Sequence, residues 1–238
     1  MKFLNMPHPY YTVCLDIKNK NILVVGGGEV ARRKAVAVCD CGAKTTVVSP
    51  KLESVLEYMA FQKEIVWIER RFEPGDVDGM FMVIAAADSR EANRAVSQLC
   101  HKKNILCNVA DAVDECTFIV PSTIERGPLT LAVSTSGISP ALAASIRQEL
   151  ELAYGEEYGK FLELFAALRP HVIETFSSPQ ARHKIFERMI ASRALSLIRN
   201  GMNEQAEREL KEIIYDAKHD PGIKKLERSL PILNPPKS

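Results

Sequence analysis

The stretch "NILVVGGGEVARRKA", residues 21–35, constrains the fold more than any other part of the chain. A short continuous apolar run reads as a strand buried on both faces, and a glycine cluster followed by a basic helix start comes straight after it. Gly26, Gly28 and Ala31 supply the pattern G-x-G-x-x-G/A that joins strand to helix in dinucleotide-binding folds. In that arrangement Gly26 permits the tight turn, Gly28 lets a pyrophosphate approach the backbone, and the small Ala31 allows close helix–strand packing. The helix beginning near Glu29 offers unpaired N–H groups to an anion, so the Glu29 side chain must point away from it.

The second half of the fingerprint is missing. An NAD enzyme normally presents an Asp or Glu to the adenosine ribose roughly 20 residues further on. Here the second strand, "TTVVSPKLE", ends in Ser49, Pro50 and Lys51. Two arrangements remain open. Ser49 and the backbone around Pro50 and Lys51 hold the ribose hydroxyls, or Lys51 recognises a 2′-phosphate, which favours NADP.

Composition narrows the class. Hydrophobic residues make up 46% of 238 positions, enough for a substantial core, and the formal net charge of +1 gives no reason to expect nucleic acid or an acidic membrane surface. No apolar run reaches the ~18 residues that span a bilayer, and "MKFLNMPHPYYTV" lacks the apolar core of a signal peptide. The six cysteines lack zinc-site spacing, so reduced, mostly buried thiols in a soluble cytoplasmic protein are expected. The five histidines (8, 101, 171, 183 and 219) form neither H-x-x-x-H nor H-E-x-x-H, and no protein-bound metal site is expected.

Up to about residue 113 short apolar runs alternate with helical patterns, the mark of a parallel α/β sheet. Strands are expected at 21–26, 45–49, 65–71, 80–87 and 105–110, with helices at 29–41, about 51–62 and 89–102; "YYTVCLDI" (10–17) is a candidate for pairing at a sheet edge. The run 116–137 reads as two extended segments joined by Glu125-Arg126-Gly127-Pro128, which predicts a hairpin. Residues 139–154 read as a helix, and the chain from about 156 as all-α with an irregular tail. The expected organisation is a Rossmann-type domain (1–113), a β-hairpin-containing middle segment (114–150) and a helical domain (151–238).

The middle segment, "NVADAVDECTFIVPSTIERGPLTLAVSTSGISPALAASIRQELE" (108–151), carries a resemblance when joined to "LDIKNKNILVVGGGEVARRKA". Through G-G-G-x-V-A-x-R-K, "VIAAAD", "CNVAD", "FIVPS" and "GPLTLAVSTSG" the chain resembles the precorrin-2 dehydrogenase/sirohydrochlorin ferrochelatase family over most of residues 10–200. The resemblance implies an N-terminal NAD-binding domain, a central dimerisation segment, a helical C-terminal domain and a homodimer. It implies NAD without the usual acidic ribose ligand, lined by Glu29-Val30 and Pro50-Lys51. It implies a tetrapyrrole substrate, precorrin-2 oxidised to sirohydrochlorin, with ferrous iron as the substrate of a second, chelating reaction.

The family's catalytic aspartate falls in "NVxD", which maps onto Asp111. That agrees with its place after a strand, since ligands of open α/β sheets sit beyond the strand carboxyl ends; the competing role is a turn at the strand end. Asp111 is expected to accept a proton as hydride leaves, ahead of its neighbours Asp114 and Glu115. A serine that some members can have phosphorylated is Thr135 here, flanked by Ser134 and Ser136, and turn chemistry is the plainer role of these hydroxyls. Arg126 and Arg147 suit the substrate's carboxylates. Two alternatives stay open, a dehydrogenase without chelatase activity and a non-catalytic nucleotide-sensing module.

Overall fold

The structure is a computed structural model describing residues 10–228; His8 and the tail 230–238, expected to be irregular, lie outside them. The chain divides into two compact units. One comprises residues up to Pro121 together with Ser134–Pro140, the other Ser122–Val133 and the chain from Ala141. The middle segment 114–150 is thus shared between the two.

The first unit is a five-stranded parallel sheet: β1 (Asn21–Val25), β2 (Lys44–Val48), β3 (Ile65–Ile68), β4 (Met82–Ala85) and β5 (Leu106–Val109). The strand order is β3-β2-β1-β4-β5. Helices α1 (Glu29–Asp40), α2 (Ser54–Phe61) and α3 (Arg90–Lys103) alternate with the strands. Successive side chains of a strand face opposite sides, which explains the unbroken apolar runs. Ile22, Val24, Met82 and Ile84 pack with Ala31 and Ala35 of α1 and Leu56 of α2. Leu23, Val25, Val83 and Ala85 pack with Val96 and Cys100 of α3.

Register decides where a ligand can sit. Val25 lies opposite Val48 and Ala85, Val48 opposite Ile68, and Ala85 opposite Val109. All five strands therefore end level, and the loops after them share one edge. The order reverses between β1 and β4, the switch point at which open α/β sheets bind ligands.

Three expectations change in detail. Residues 10–17 form no strand, and Tyr11 and Val13 stay exposed while Ile17 reaches the core. Strand β3 stops at Ile68, because Arg70 turns its guanidinium onto Asp76, at 2.6 and 2.9 Å, to close a short 3₁₀ turn at Pro74–Val77. Residues 116–121 stay outside the hairpin. Thr117 covers the edge of β5 instead, its N–H donating to the Cys107 carbonyl at 2.8 Å and its Oγ1 accepting from the Cys107 N–H at 2.7 Å.

The second unit begins with the hairpin β6 (Ser122–Arg126) and β7 (Leu129–Val133). Its two-residue turn has Gly127 at φ +53° followed by Pro128, the glycine-first pattern of a type II′ turn. After it come α4 (Pro140–Ala153), α5 (Glu156–Thr175), α6 (Pro179–Ile190), α7 (Ala194–Arg199), α8 (Asn203–Ala217) and α9 (Pro221–Arg228). Phe161, Val172, Ile185, Met189, Leu210 and Ile214 centre the helical core. The hairpin backbone approaches α5 closely, since a Cβ on Gly159 would lie 2.7 Å from the Arg126 carbonyl oxygen. Of the cysteines, Cys100 and Cys107 are buried while Cys14 and Cys41 are exposed, so burial of the thiols is only partial.

Candidate functional site

The glycine loop runs along the level edge of the sheet, and each glycine answers to a different constraint. Gly26 has φ +123°, and a Cβ there would meet the Ala86 carbonyl oxygen at 2.2 Å. Gly27 is as tightly confined, with the Lys51 carbonyl oxygen 2.0 Å from its Cβ position. At Gly28 nothing lies within 4 Å of that position. Gly28 begins α1 with no side chain capping the helix, so the first-turn N–H groups look onto open space. The fold requires the first two glycines, and the third leaves room for a ligand. Sequence spacing pointed to Gly26 and Gly28 and passed over Gly27, which the G-x-G pattern leaves unspecified.

Glu29 resolves its conflict with an anion locally. Its carboxylate takes both Nε and Nη2 of Arg32, at 2.7 and 2.6 Å, and that guanidinium holds its pKa below the usual carboxylate range. Ser49 is buried, and its hydroxyl donates to the Lys51 carbonyl at 2.6 Å. The Glu53 N–H in turn donates to the Gly27 carbonyl at 2.8 Å. Ser49 and the backbone of Lys51 thus brace the glycine loop, while Lys51 itself is exposed.

Two cavities flank the loop. One of about 610 Å³, on the β2 side, is lined by Gly26, Gly27, Ser49, Pro50, Arg71 and Phe72. Arg71 went unnoticed in the sequence because nothing marks the end of β3 as part of a site. The other, of about 420 Å³, lies on the β4–β5 side and is lined by Gly28, Glu29, Val30, Asp88, Asp111 and Glu115. Ala87 and Asp88 border both. The pair of cavities, with a helix N-terminus between them, fits a dinucleotide extended across the switch point.

Asp111 stands at the head of the turn after β5, at φ +59°, a left-handed conformation that Asp tolerates better than most residues. The turn is braced from below. The Val109 N–H donates to Cys116 Sγ at 3.1 Å, and the Ser97 hydroxyl donates to the Glu115 carbonyl at 2.6 Å. Burial pushes the Cys116 thiol up, which keeps it a protonated packing group. Gly137 packs on Val113, its Cβ position 3.0 Å from a Val113 methyl, which sets the turn at 134–137 beside the one carrying Asp111. Within it Thr135 Oγ1 accepts from the Ser139 N–H at 3.1 Å and donates to the Ser139 carbonyl at 3.0 Å, and Ser134 Oγ accepts from the Ser136 N–H at 3.1 Å.

Arg126 and Arg147 belong to the second unit and already have carboxylates. Arg126 approaches Glu151 at 3.6 Å and Glu156 at 3.3 Å, and Arg147 approaches Glu151 at 2.5 Å. No cluster of three or more His, Cys, Asp or Glu side chains suited to a metal ion occurs among the described residues.

Known protein families match successive parts of the chain. An NAD(P)-binding family model matches residues 13–122, a sirohaem biosynthesis central model 126–152, and a sirohaem synthase dimerisation model 157–214. Siroheme synthase of Photorhabdus laumondii is 36% identical over 203 residues. The chain carries, in order, the NAD(P)-binding, central and dimerisation regions found in siroheme synthases. The match takes in 85% of this chain and 43% of that relative, so the chain spans less than half the length of the siroheme synthases it matches. The siroheme synthases of Methylobacillus flagellatus and Methylococcus capsulatus are both 37% identical, over 206 and 203 residues. Among solved structures, SirC, a precorrin-2 dehydrogenase, superposes with a TM-score of 0.73 at 24% identity, covering 85% of this chain and 100% of its own, a likeness of fold. The dimerisation model falls on α5 to α8, C-terminal to the segment 114–150 for which the sequence predicts an interface. No helix among the described residues is long and apolar enough to cross a membrane.

Proposed function

We propose that this chain oxidises precorrin-2 to sirohydrochlorin with NAD, and that it also inserts ferrous iron into the product. The observation that carries the reading is the shared cavity: Asp111, after β5, lines the same space as Gly28, Glu29 and Val30 at the start of α1. A bound dinucleotide supplies the hydride acceptor. Gly28 leaves the backbone open to a pyrophosphate, and Glu29, tied to Arg32, stays clear of it. Ser49, Pro50 and the main chain of Lys51 border the adenosine side.

Oxidation removes a hydride and a proton from the macrocycle. With a bound dinucleotide as the hydride acceptor, the part left to this chain is the proton, which the Asp111 carboxylate takes. Chelation displaces two pyrrole N–H protons as ferrous iron enters, and the same carboxylate receives them in turn through exchange with water. Iron is a substrate here, coordinated by the macrocycle, so the protein needs no dedicated cage. Ser134 and Thr135, on the turn packed against Val113, are the hydroxyls assigned to the substrate, whereas Arg126 and Arg147 serve it only by exchanging a glutamate for a substrate carboxylate.

A homodimer built from the hairpin segment 114–150 and the helices is part of the same reading. The test is anaerobic incubation with precorrin-2 and NAD, read as NADH absorbance. Formation of NADH and sirohydrochlorin is expected; a folded protein that binds NAD and leaves precorrin-2 untouched overturns the assignment in favour of a nucleotide-sensing module.

A further inference from the structure

The cavity at Asp111 has the wrong sign for its proposed substrate. Glu29, Asp88, Asp111 and Glu115 line it, against Arg90 as the one cation among its described lining residues. With Glu29 neutralised by Arg32 and Glu115 engaged by Arg90, Asp88 and Asp111 still face the ligand. A polycarboxylate approaching such a surface is repelled unless cations meet it at the rim.

Helix α3 places two there. Arg90 is its first residue and Arg94 follows four positions on, on the same helix face. Their side chains are 60% and 57% exposed. Cations at a helix N-terminus oppose the helix dipole, so helix stability gives no reason for this pair. Glu115 holds both: its Oε1 accepts from Arg90 Nη2 at 3.4 Å and from Arg94 Nε at 3.2 Å. Arg90 Nη1 also reaches the Asp111 carbonyl at 3.5 Å. These contacts are long beside the ~2.7–2.9 Å usual for charge-assisted bonds, and each guanidinium has about five N–H donors, so most of both forks stays open. Glu115 is itself anchored, with its carbonyl bonded to Ser97, its side chain 20% exposed and its Oε2 buried without a partner. One carboxylate shared by two guanidiniums leaves a positive charge in excess at the rim.

We propose that Arg90 and Arg94 form a recognition site for a peripheral carboxylate of the tetrapyrrole, with Glu115 as the positioning residue that holds both forks at the rim beside Asp111. This rests on the tetrapyrrole reading above. Guanidinium pairs bidentately with carboxylate, so the pair fixes the edge of the macrocycle and leaves its ring to the acid-lined interior.

Sirohydrochlorin is the probe, titrated anaerobically into the full chain without NAD and followed by its own absorbance. Replacing both arginines by Ala is expected to weaken binding ~100-fold, about tenfold for each charged pair lost. The KM for precorrin-2 rises in parallel while kcat stays within about threefold, the pattern of lost substrate binding. Binding to the native chain weakens with added salt, and binding to the double variant much less so. Glu115→Ala raises the KM and Glu115→Gln, which keeps an acceptor for both forks, restores it. If the double alanine variant fails to fold, as loss of its cooperative melting transition would reveal, the Arg90→Lys/Arg94→Lys pair decides, with at least a fivefold loss expected because Lys cannot form the fork. Native-like sirohydrochlorin affinity in folded variants overturns the arginine site alone. A native chain that neither binds sirohydrochlorin nor oxidises precorrin-2 overturns the tetrapyrrole reading, and the site with it.

Discussion

Asn93 holds Ala87 by both of its backbone polar groups: the Ala87 N–H donates to Asn93 Oδ1 at 2.9 Å, and Asn93 Nδ2 donates to the Ala87 carbonyl at 2.9 Å. Ala87 borders both cavities, and its neighbour Ala86 sets the clearance of Gly26. A buried amide on α3 therefore fixes the loop after β4 against the glycine loop. Asn93→Ala removes both bonds, and each orphaned backbone group costs about 1–3 kcal/mol. A lower melting temperature is expected together with NAD affinity reduced roughly tenfold, the worth of ~1.4 kcal/mol. Asn93→Asp is the sharper test, because one oxygen still accepts from the N–H while the other faces the carbonyl. NAD titration with calorimetric melting checks it, and unchanged affinity in both variants would show that the loop holds its shape without Asn93.

Gly27 and Gly28 should separate fold from binding. Gly28→Val adds its side chain to open space, so the protein should melt normally and lose NAD. Gly27→Ala drives a methyl into the Lys51 carbonyl, 2.0 Å away, and must displace backbone. It should melt lower before any cofactor is added. Differential scanning calorimetry of both variants, followed by NAD titration, measures the two effects apart.

Much of this was legible because parallel strands buried on both faces leave unbroken apolar runs. "NILVV", "TTVV" and "MVIA" could hardly be anything else, and their spacing gave the helices between them. "CTFIVP" misled for a physical reason: it has strand composition, yet Thr117 pairs with β5 through its side chain as well as its N–H. The role of Gly27 was hidden because its constraint, the Lys51 carbonyl, lies 24 positions away across a loop. Arg126 looked like a free cation at a hairpin tip, and the arrival of Glu151 and Glu156 from the helices that follow gives it charged partners.

Asp220 ties the end of the helical unit together and predicts a pH dependence. Its Oδ1 accepts from the N–H groups of Gly222 and Ile223 at the start of α9, and its Oδ2 accepts from Arg188 of α6 at 2.7 Å. The Arg188 guanidinium, helped by those N–H groups, lowers its pKa from 3.8 to about 2. A carboxylate with a depressed folded-state pKa stabilises above its unfolded pKa and loses that contribution as pH falls through the folded one. The melting-temperature gap between the native chain and Asp220→Asn should be full at neutral pH and close between pH ~4 and ~2. A gap unchanged down to the lower limit would show that the charge of Asp220 contributes nothing.

Unpaired strand edges invite pairing with another chain, and a two-fold dimer is the commonest closed solution. The hairpin of β6 and β7 is a two-stranded sheet with both outer edges unpaired among the described residues. Sedimentation at micromolar concentration is expected to show a homodimer, and hydrogen exchange in 114–150 to slow as dimer forms. A monomer in that range contradicts the expectation.

The conformation of Asp111 dictates how its chemistry must be tested. At φ +59° an alanine would strain the backbone and blur the loss of a carboxylate with the movement of a turn. Asparagine occupies the left-handed region readily and keeps the shape while losing the base. General acid–base assistance is typically worth ~10²–10⁴-fold, so Asp111→Asn should cut precorrin-2 oxidation by that order and leave NAD affinity nearly unchanged. Ferrous iron insertion, followed separately by siroheme absorbance, should fall with it if one carboxylate serves both reactions. Loss of oxidation alone would move proton acceptance in chelation to another group, with Asp114 or the hydroxyls of Ser134 and Thr135 next in line. Loss of neither would leave Asp111 a turn residue at the end of β5, because a group that takes the reacting proton cannot be removed without slowing the step.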